Sequence, residues 1–288
     1  MNGTQQSPQC EIEMFDGAGR LRLMSRRWRV TRPRGRVVFL HGIVSHSGWY
    51  LASCDALAQN GFEVHFLDRR GSGGNPSRRG DVDDWRQWID DVVCFLKSQP
   101  RDVPLILGGI SWGGKLASAL AAEHPDLIDG LALVCPGIYA AQFPSPAKYR
   151  LLGGLSRIGL GGLRVPIPLK DPALFTGVAR WQSFIQKDSL TLRKVSVRFA
   201  LEDRKLTQHA REVTPTIRTP TWLVLAGRDR IVDNPKTREM LDRMAASDKE
   251  CTCYEEAAHT FEFEPDPRPY FRDLTNWVTR VARQTAGD

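Results

Sequence analysis

The chain has 288 residues, of which 41% are hydrophobic and 25% are charged, proportions that are ordinary for a globular protein. This length suffices for one large α/β domain or for two smaller ones. No apolar run approaches the roughly 20 residues that a membrane-spanning helix needs, which excludes an integral membrane protein. Residues 1–9 are polar and lack the basic start and apolar stretch of a secretory signal, so we expect a cytoplasmic location.

The formal net charge of +7 raises the question of a nucleic-acid partner. The lysines and arginines are spread along the chain and form no basic run interleaved with aromatic residues, so we expect no nucleic-acid binding. The positive excess instead suits an approach to anionic lipid surfaces, as peripheral membrane contact at most. The sequence leaves the oligomeric state open.

Six cysteines are scattered along the chain, and most of them lie inside apolar runs. Their spacing contains neither a zinc-binding pattern nor a Cys-x-x-Cys pair, so we predict no metal site. Thiols are common in protein interiors, and disulfides are rare in the cytoplasm. The sequence therefore favours buried free thiols over disulfides.

The chain opens with two apolar runs, residues 11–15 and 21–30, that predict an antiparallel hairpin. After the hairpin, short apolar runs alternate with segments of helical periodicity, which predicts a parallel sheet covered by helices on both faces. The predicted strands are 37–40, 62–67, 105–107, 131–134, 222–225 and 251–254, and the predicted helices are 51–59, 85–96, 115–122 and 237–244.

The alternation breaks in residues 138–215, which are irregular, contain paired glycines and several prolines, and end in a basic helical stretch at 190–211. This segment is too long for a loop and too poor in strand pattern to extend the sheet, so we interpret it as an inserted, mainly helical cap. The core then consists of residues 1–137 and 216–288. The apolar side chains of 151–167 either pack on the core or face lipid in part.

Gly109-Ile110-Ser111-Trp112-Gly113 lies between a predicted strand and a predicted helix. A serine on such a sharp turn has a strained backbone, and the positions two residues before and after it have no room for side chains. Gly109 and Gly113 occupy those positions. The pattern predicts that Ser111 is a nucleophile.

A serine hydroxyl needs a base within hydrogen-bond reach, and the base needs an orienting carboxylate. When these partners follow the serine, the acid comes first and the histidine second, each after a late strand. Asp229 follows the run 222–225, and His259 follows the run 251–254. Asp233 is the rival acid, but it lies farther from its strand.

The negative charge that develops on a carbonyl oxygen must be met by preorganised donors, usually backbone N–H groups. Trp112, the residue after the nucleophile, is one candidate donor. Ile43, in the His41-Gly42-Ile43 loop after the run 37–40, is the other. The alternative for this loop is an ordinary glycine turn.

Five sequence features, taken together, resemble the monoacylglycerol lipase and lysophospholipase branch of the α/β-hydrolase superfamily, which is of the serine aminopeptidase S33 type. The resemblance spans roughly residues 36–131 and resumes at 220–259. The features are His41-Gly42, His46-Ser47-Gly48 with Tyr50, Asp68-Arg69-Arg70-Gly71-Ser72-Gly73, Arg79-Gly80 followed by Val82-Asp83, and the serine turn.

The resemblance implies an α/β-hydrolase fold with Ser111, Asp229 and His259 as the catalytic triad. It also implies that Ile43 and Trp112 are the oxyanion donors, that 138–215 is a lipid-admitting cap, and that neither metal nor organic cofactor is needed. The chain departs from the family at Ile110, where histidine is usual, and at Trp112, where methionine is common. The bulky Trp112 is expected to narrow the acyl pocket.

Three functions remain in competition. The first is hydrolysis of carboxylic esters, of acylglycerol or lysophospholipid type, through an acyl-enzyme on Ser111. The second is an amidase or aminopeptidase, which needs an acidic subsite for the substrate amine, whereas residues 138–201 contain only Asp171 and Asp188 as carboxylates. The third is a ligand-binding protein without turnover, a class whose members usually lack one of the triad residues.

Overall fold

The computed structural model describes residues 9–141 and 145–287. Residues 1–8 and Pro144, which entered the predictions for the start of the chain and for the insertion, lie outside this part. The ten strands of the described residues are β1 (Cys10–Asp16), β2 (Arg22–Trp28), β3 (Gly35–Leu40), β4 (Phe62–Leu67), β5 (Leu105–Ile110), β6 (Gly130–Val134), β7 (Arg164–Pro166), β8 (Lys194–Ser196), β9 (Thr221–Ala226) and β10 (Lys249–Tyr254).

Eight of these strands form one sheet in the order β1-β2-β4-β3-β5-β6-β9-β10. β1 and β2 form the expected antiparallel hairpin, and β2 also lies antiparallel to β4. The six strands from β4 to β10 in this order are parallel to one another. β7 and β8 form a separate antiparallel pair.

The helices cover both faces of the sheet, and within these layers α1 packs on α8 and α2 packs on α3. The predicted architecture, a mostly parallel sheet between helices, is therefore confirmed. Every residue of β3, β4, β5, β6 and β9 is buried, as expected for parallel strands covered on both faces. The helices are α1 (Leu51–Gln59), α2 (Arg86–Ser98), α3 (Trp112–Glu123), α4 (Pro146–Arg157), α5 (Ala179–Lys187), α6 (Val197–Val213), α7 (Asn234–Arg243) and α8 (Arg268–Ala286).

The segment between β6 and β9, which we call the insertion, holds α4, α5, α6 and the β7–β8 pair. It contacts the loops that follow four strands of the main sheet. The backbone N–H of Leu192 donates to Val44, that of Thr260 donates to Phe175, and that of Ala141 donates to Ile231. The side chain of Trp112 binds Asp203 of α6. The insertion therefore lies at the edge of the sheet where the parallel strands end.

The helical stretch predicted at 190–211 starts later than expected. Helix α6 begins at Val197, because the Ser196 side chain accepts a hydrogen bond from the Phe199 N–H at 2.9 Å and caps the helix there. The residues just before it pair as β8. Helices α4, α5 and α8 were not predicted individually from the sequence.

All six cysteines are free, as expected, but they are not all buried. Cys54 and Cys135 are buried, Cys251 and Cys253 are half-buried, and Cys10 and Cys94 are exposed. The two exposed thiols correct the prediction. No helix in the described ranges combines the length and the apolar character that crossing a membrane requires.

Candidate active site

Ser111 lies on the turn between β5 and α3 with φ 53° and ψ −118°, a backbone conformation that residues other than glycine rarely adopt. A Cβ on Gly113 would lie 2.2 Å from the Leu40 carbonyl oxygen, and one on Gly109 would lie 2.7 Å from the Gly113 carbonyl oxygen. Only glycine fits at both places. The turn exposes 8% of Ser111, which lines a cavity under the insertion.

His259 and Asp229 are joined by a hydrogen bond of 2.7 Å between Nδ1 and Oδ2. The other carboxylate oxygen of Asp229 accepts from the N–H groups of Ile231 and Val232 at 2.7 Å and 3.1 Å. Burial alone would raise the pKa of Asp229, but the charge of His259 and these hydrogen bonds outweigh it and hold the pKa below its ordinary value. Asp229 is therefore ionised and aligned on the imidazole.

Asp233, the rival acid, has a different role. Its side chain caps α7 by accepting from the Lys236 N–H at 3.1 Å, and it also binds the Lys236 ammonium at 2.7 Å. The structure thus pairs His259 with Asp229 and leaves Asp233 at a helix start.

Ser111 and His259 both follow parallel strands at the same edge of the sheet, after β5 and β10. Over residues 9–141 and 145–287, the buried Nε2 of His259 has no hydrogen-bond partner, so no hydrogen bond joins it to the Ser111 hydroxyl in this state. Catalytic hydrogen bonds often tighten only when substrate binds. The free Nε2 is the atom that a general base uses.

The remaining histidines have structural partners or lie away from the serine. His41 accepts from the Arg69 N–H, His46 binds Asp188, and His209 binds Glu123. His65 is buried inside β4, and burial lowers its pKa to about 3, so it is neutral. His124 follows the end of α3.

The loop that carries Ile43 is held by Arg69, a residue whose role the sequence reasoning missed. The buried guanidinium donates to the carbonyl oxygens of Ile43 at 2.9 Å and Gly42 at 3.4 Å. It also stacks 4.4 Å from the centre of the Trp112 ring. Burial lowers the pKa of Arg69 to about 9, so the side chain is still charged at neutral pH. One arginine thus contacts both residues expected to supply oxyanion donors.

Trp112 is the first residue of α3, so its N–H has no partner within the helix. The Trp112 ring contacts both Arg69 and Trp88, with the Trp88 ring centre 5.0 Å away in an edge-to-face arrangement. Its indole N–H donates to Asp203 at 2.6 Å. Ile43 and Trp112 both line the cavity beside Ser111.

The cavity has a volume of about 530 Å³, enough for a drug-sized or lipid-sized ligand. Lys115 and Asp203 form an ion pair of 2.9 Å in its wall, and Lys115 also donates to Thr207 at 2.7 Å. Neither partner was predicted from the sequence as part of a site. Asp203 lies two positions beyond residues 138–201, the segment in which Asp171 and Asp188 are the carboxylates.

One cluster of three possible metal ligands occurs among the described residues, Cys135 with Asp229 and His259. Asp229 and His259 already bind each other in it. Burial raises the pKa of the Cys135 thiol well above its ordinary value, so the thiol stays protonated, and protonated thiols are poor ligands. The donor set suits proton transfer better than metal binding.

A mostly parallel sheet with a serine on a glycine-flanked turn defines the α/β-hydrolase class. The chain belongs to the serine aminopeptidase S33 family, which it matches over residues 31–266, and to its monoacylglycerol lipase-like branch. The resemblance stated from the sequence motifs is thereby confirmed.

Two relatives and one solved structure illustrate the match. The monoacylglycerol lipase of Mycolicibacterium smegmatis is 24% identical over 269 residues, covering 92% of this chain and 95% of the relative. The phospholipase YtpA of Bacillus subtilis is 26% identical over 251 residues, covering 85% and 95%. The crystal structure of Paleococcus ferrophilus monoacylglycerol lipase superposes with a TM-score of 0.82 at 23% identity, covering 91% of this chain and 100% of that one.

Proposed function

We propose that this protein hydrolyses lipid esters, of acylglycerol or lysophospholipid type, through an acyl-enzyme on Ser111. His259 accepts the Ser111 proton while the serine oxygen attacks the ester carbonyl carbon, and it then gives that proton to the departing alcohol. Water, deprotonated by His259, next attacks the acyl carbon and releases the acid, and the proton returns to Ser111. Asp229 orients the imidazole and stabilises its charged form.

The oxyanion formed in both steps accepts hydrogen bonds from the N–H groups of Ile43 and Trp112. Backbone donors fixed before the reaction need no reorganisation while charge develops, and each is worth roughly 10²–10³ in rate. Arg69 supports this role because it holds the Ile43 carbonyl and packs on the Trp112 ring. The reaction needs neither a metal nor an organic cofactor.

The observation that carries the proposal is the aligned Asp229–His259 pair, with a free Nε2, at the sheet edge that also carries the strained Ser111. Carboxylic-ester hydrolase is the class of this chain. Its matched relatives are named monoacylglycerol lipase and phospholipase. The cavity beside Ser111 is large enough for an acyl chain.

Amide or aminopeptide hydrolysis is the second candidate. The description of the family names an aminopeptidase, and Asp203 brings a carboxylate to the cavity. An aminopeptidase needs a carboxylate that is free to bind the substrate amine. Asp203 instead accepts from Lys115 and from the Trp112 indole. The paired state of Asp203 favours ester hydrolysis.

Labelling with a fluorophosphonate probe tests the nucleophile. We expect stoichiometric labelling of the wild type, none of Ser111→Ala, and full labelling of Ser118→Ala, a matched control in α3, the helix that Ser111 precedes. p-Nitrophenyl hexanoate and 1-monoacylglycerols should be hydrolysed by the wild type and by Ser118→Ala only. Labelling of Ser111→Ala at the wild-type level, or faster cleavage of aminoacyl amides than of esters, contradicts the proposal.

A further inference from the structure

One helix supplies a polar wall of the cavity beside Ser111. The cavity-lining residues of α6 recur every three or four positions, so they form a single face of the helix. Most of them are charged or polar, although their cavity adjoins the core. The face comprises Phe199, Ala200, Asp203, Arg204, Thr207, Gln208 and Arg211.

Other lining residues of the insertion form an apolar wall. They come from β7, from the segment after it and from β8, and they bring aliphatic side chains and proline rings to the cavity. A cavity with one polar and one apolar wall fits an amphiphilic occupant, with its chain on the apolar side. These residues are Val165, Pro166, Ile167, Pro168, Leu169, Leu174 and Val195.

The charges around this cavity do not balance. Lys115, Lys148, Arg204 and Arg230 are among its lining residues, whereas Asp203 is the one carboxylate among the lining residues that the structure describes. Asp203 is neutralised by Lys115 at 2.9 Å.

Three of these cations have no anionic partner among residues 9–141 and 145–287. In the part of the chain that the structure describes, no carboxylate oxygen lies within 4.0 Å of the side-chain nitrogens of Lys148, Arg204 or Arg230. The Arg204 guanidinium stacks over the Tyr149 ring at 4.5 Å, and Arg230 donates to the Ala173 carbonyl oxygen. These contacts orient the two side chains without neutralising them.

Resting on the function proposed above, we propose that the preferred substrate carries an anionic group, a phosphate or a carboxylate, in addition to its acyl ester. The unbalanced cations attract that group and place the ester beside Ser111, while the acyl chain lies along the apolar wall. A neutral monoacylglycerol lacks the group and gains nothing from these cations. Arg204, Lys148 and Arg230 thus act as specificity-determining residues.

The test uses short-chain esters below their micellar concentrations, so that attraction to a lipid surface plays no part. The substrates are 1-hexanoylglycerol, its 3-phosphate, its zwitterionic 3-phosphocholine and 3-(hexanoyloxy)propanoate. We expect kcat/KM to be about tenfold higher or more for the phosphate or the carboxylate than for 1-hexanoylglycerol, and to fall towards it with added salt. If both anionic esters are turned over faster, the subsite binds anions in general. If only the phosphate ester is turned over faster, the subsite is specific for phosphate.

Charge-neutral variants locate the effect. Arg204→Gln and Lys148→Gln should each lower the anionic-to-neutral ratio of kcat/KM about threefold or more. Arg157→Gln, which removes an exposed charge from α4 outside the cavity lining, should keep the wild-type ratio. If Arg204→Gln and Lys148→Gln keep the wild-type ratio of kcat/KM as Arg157→Gln does, the inference is overturned.

Binding separates this inference from the proposed chemistry. Calorimetric titration of Ser111→Ala with 1-hexanoylglycerol and with its 3-phosphate measures affinity without turnover. We expect about tenfold tighter binding of the phosphate, weakened by Arg204→Gln in the same background. Equal affinities overturn the anionic subsite even where esters are hydrolysed, whereas tighter phosphate binding without any ester hydrolysis supports the subsite and counts against the proposed function.

Discussion

The edge of the sheet and the insertion hold their functional side chains in different ways. Ser111 directly follows β5, and Asp229 lies three residues after the end of β9; their positions are fixed by backbone geometry and short hydrogen bonds. The insertion presents side chains from one helix face and from irregular segments, and it leaves Leu151 and Ile158 64% and 71% exposed. We therefore expect the core to set the chemistry and the insertion to set which substrate reaches it.

The largest effect is expected at the proposed acid, Asp229. Asp229→Asn should lower kcat by roughly 10³–10⁴ for every ester, because the amide no longer stabilises the imidazolium or holds its tautomer. Asp233→Asn, four residues away, should keep kcat within about threefold and cost at most about 1 kcal/mol as a weakened helix cap. Steady-state kinetics and thermal unfolding check both. Equal losses of kcat in the two variants would contradict the proposal that Asp229, and not Asp233, is the acid.

Two glycines test the regions by packing alone. Gly113→Ala places a Cβ against the Leu40 backbone and should cost about 3 kcal/mol or more, with loss of activity. Gly153→Ala in α4 meets nothing within 4 Å and should stabilise the protein by about 0.5–1 kcal/mol. Urea unfolding measures both changes. A Gly113→Ala protein with wild-type stability and kcat contradicts the tight turn.

A smaller test concerns Arg69, which contacts the two residues that we propose as oxyanion donors. Arg69→Met keeps an apolar stem against Trp112 but removes both donors to the Gly42–Ile43 loop, so kcat should fall about 10²-fold with little change in KM. Arg34→Met is the control, because Arg34 also packs on a ring and binds a carbonyl oxygen, but before β3. A rise in KM at constant kcat indicates substrate binding instead of positioning.

The same division explains what could be predicted from the sequence. Sheet and helix alternation, the serine turn and the acid–histidine order are local signals tied to strand ends, so they were visible without coordinates. Lys115 looked like an ordinary residue of a helix, and Arg69 was visible only as part of a motif. Their roles depend on which helix face meets which neighbour. The cavity face of α6 was hidden for the same reason, since its polar residues have the pattern of a solvated surface.

Asp203 and Lys115 join the two regions and give the smallest and most informative prediction. Asp203→Asn leaves the buried Lys115 ammonium without its carboxylate and should cost about 2 kcal/mol of the free energy of unfolding. Lys115→Met removes the cation, so the double variant should be more stable than the sum of the single losses predicts, by about 1 kcal/mol. Urea unfolding of the four proteins measures this coupling. Additive losses within about 0.3 kcal/mol mean that this pair does not hold the insertion to α3, and the position of the insertion beside Ser111 must then depend on its other contacts with the strand-end loops.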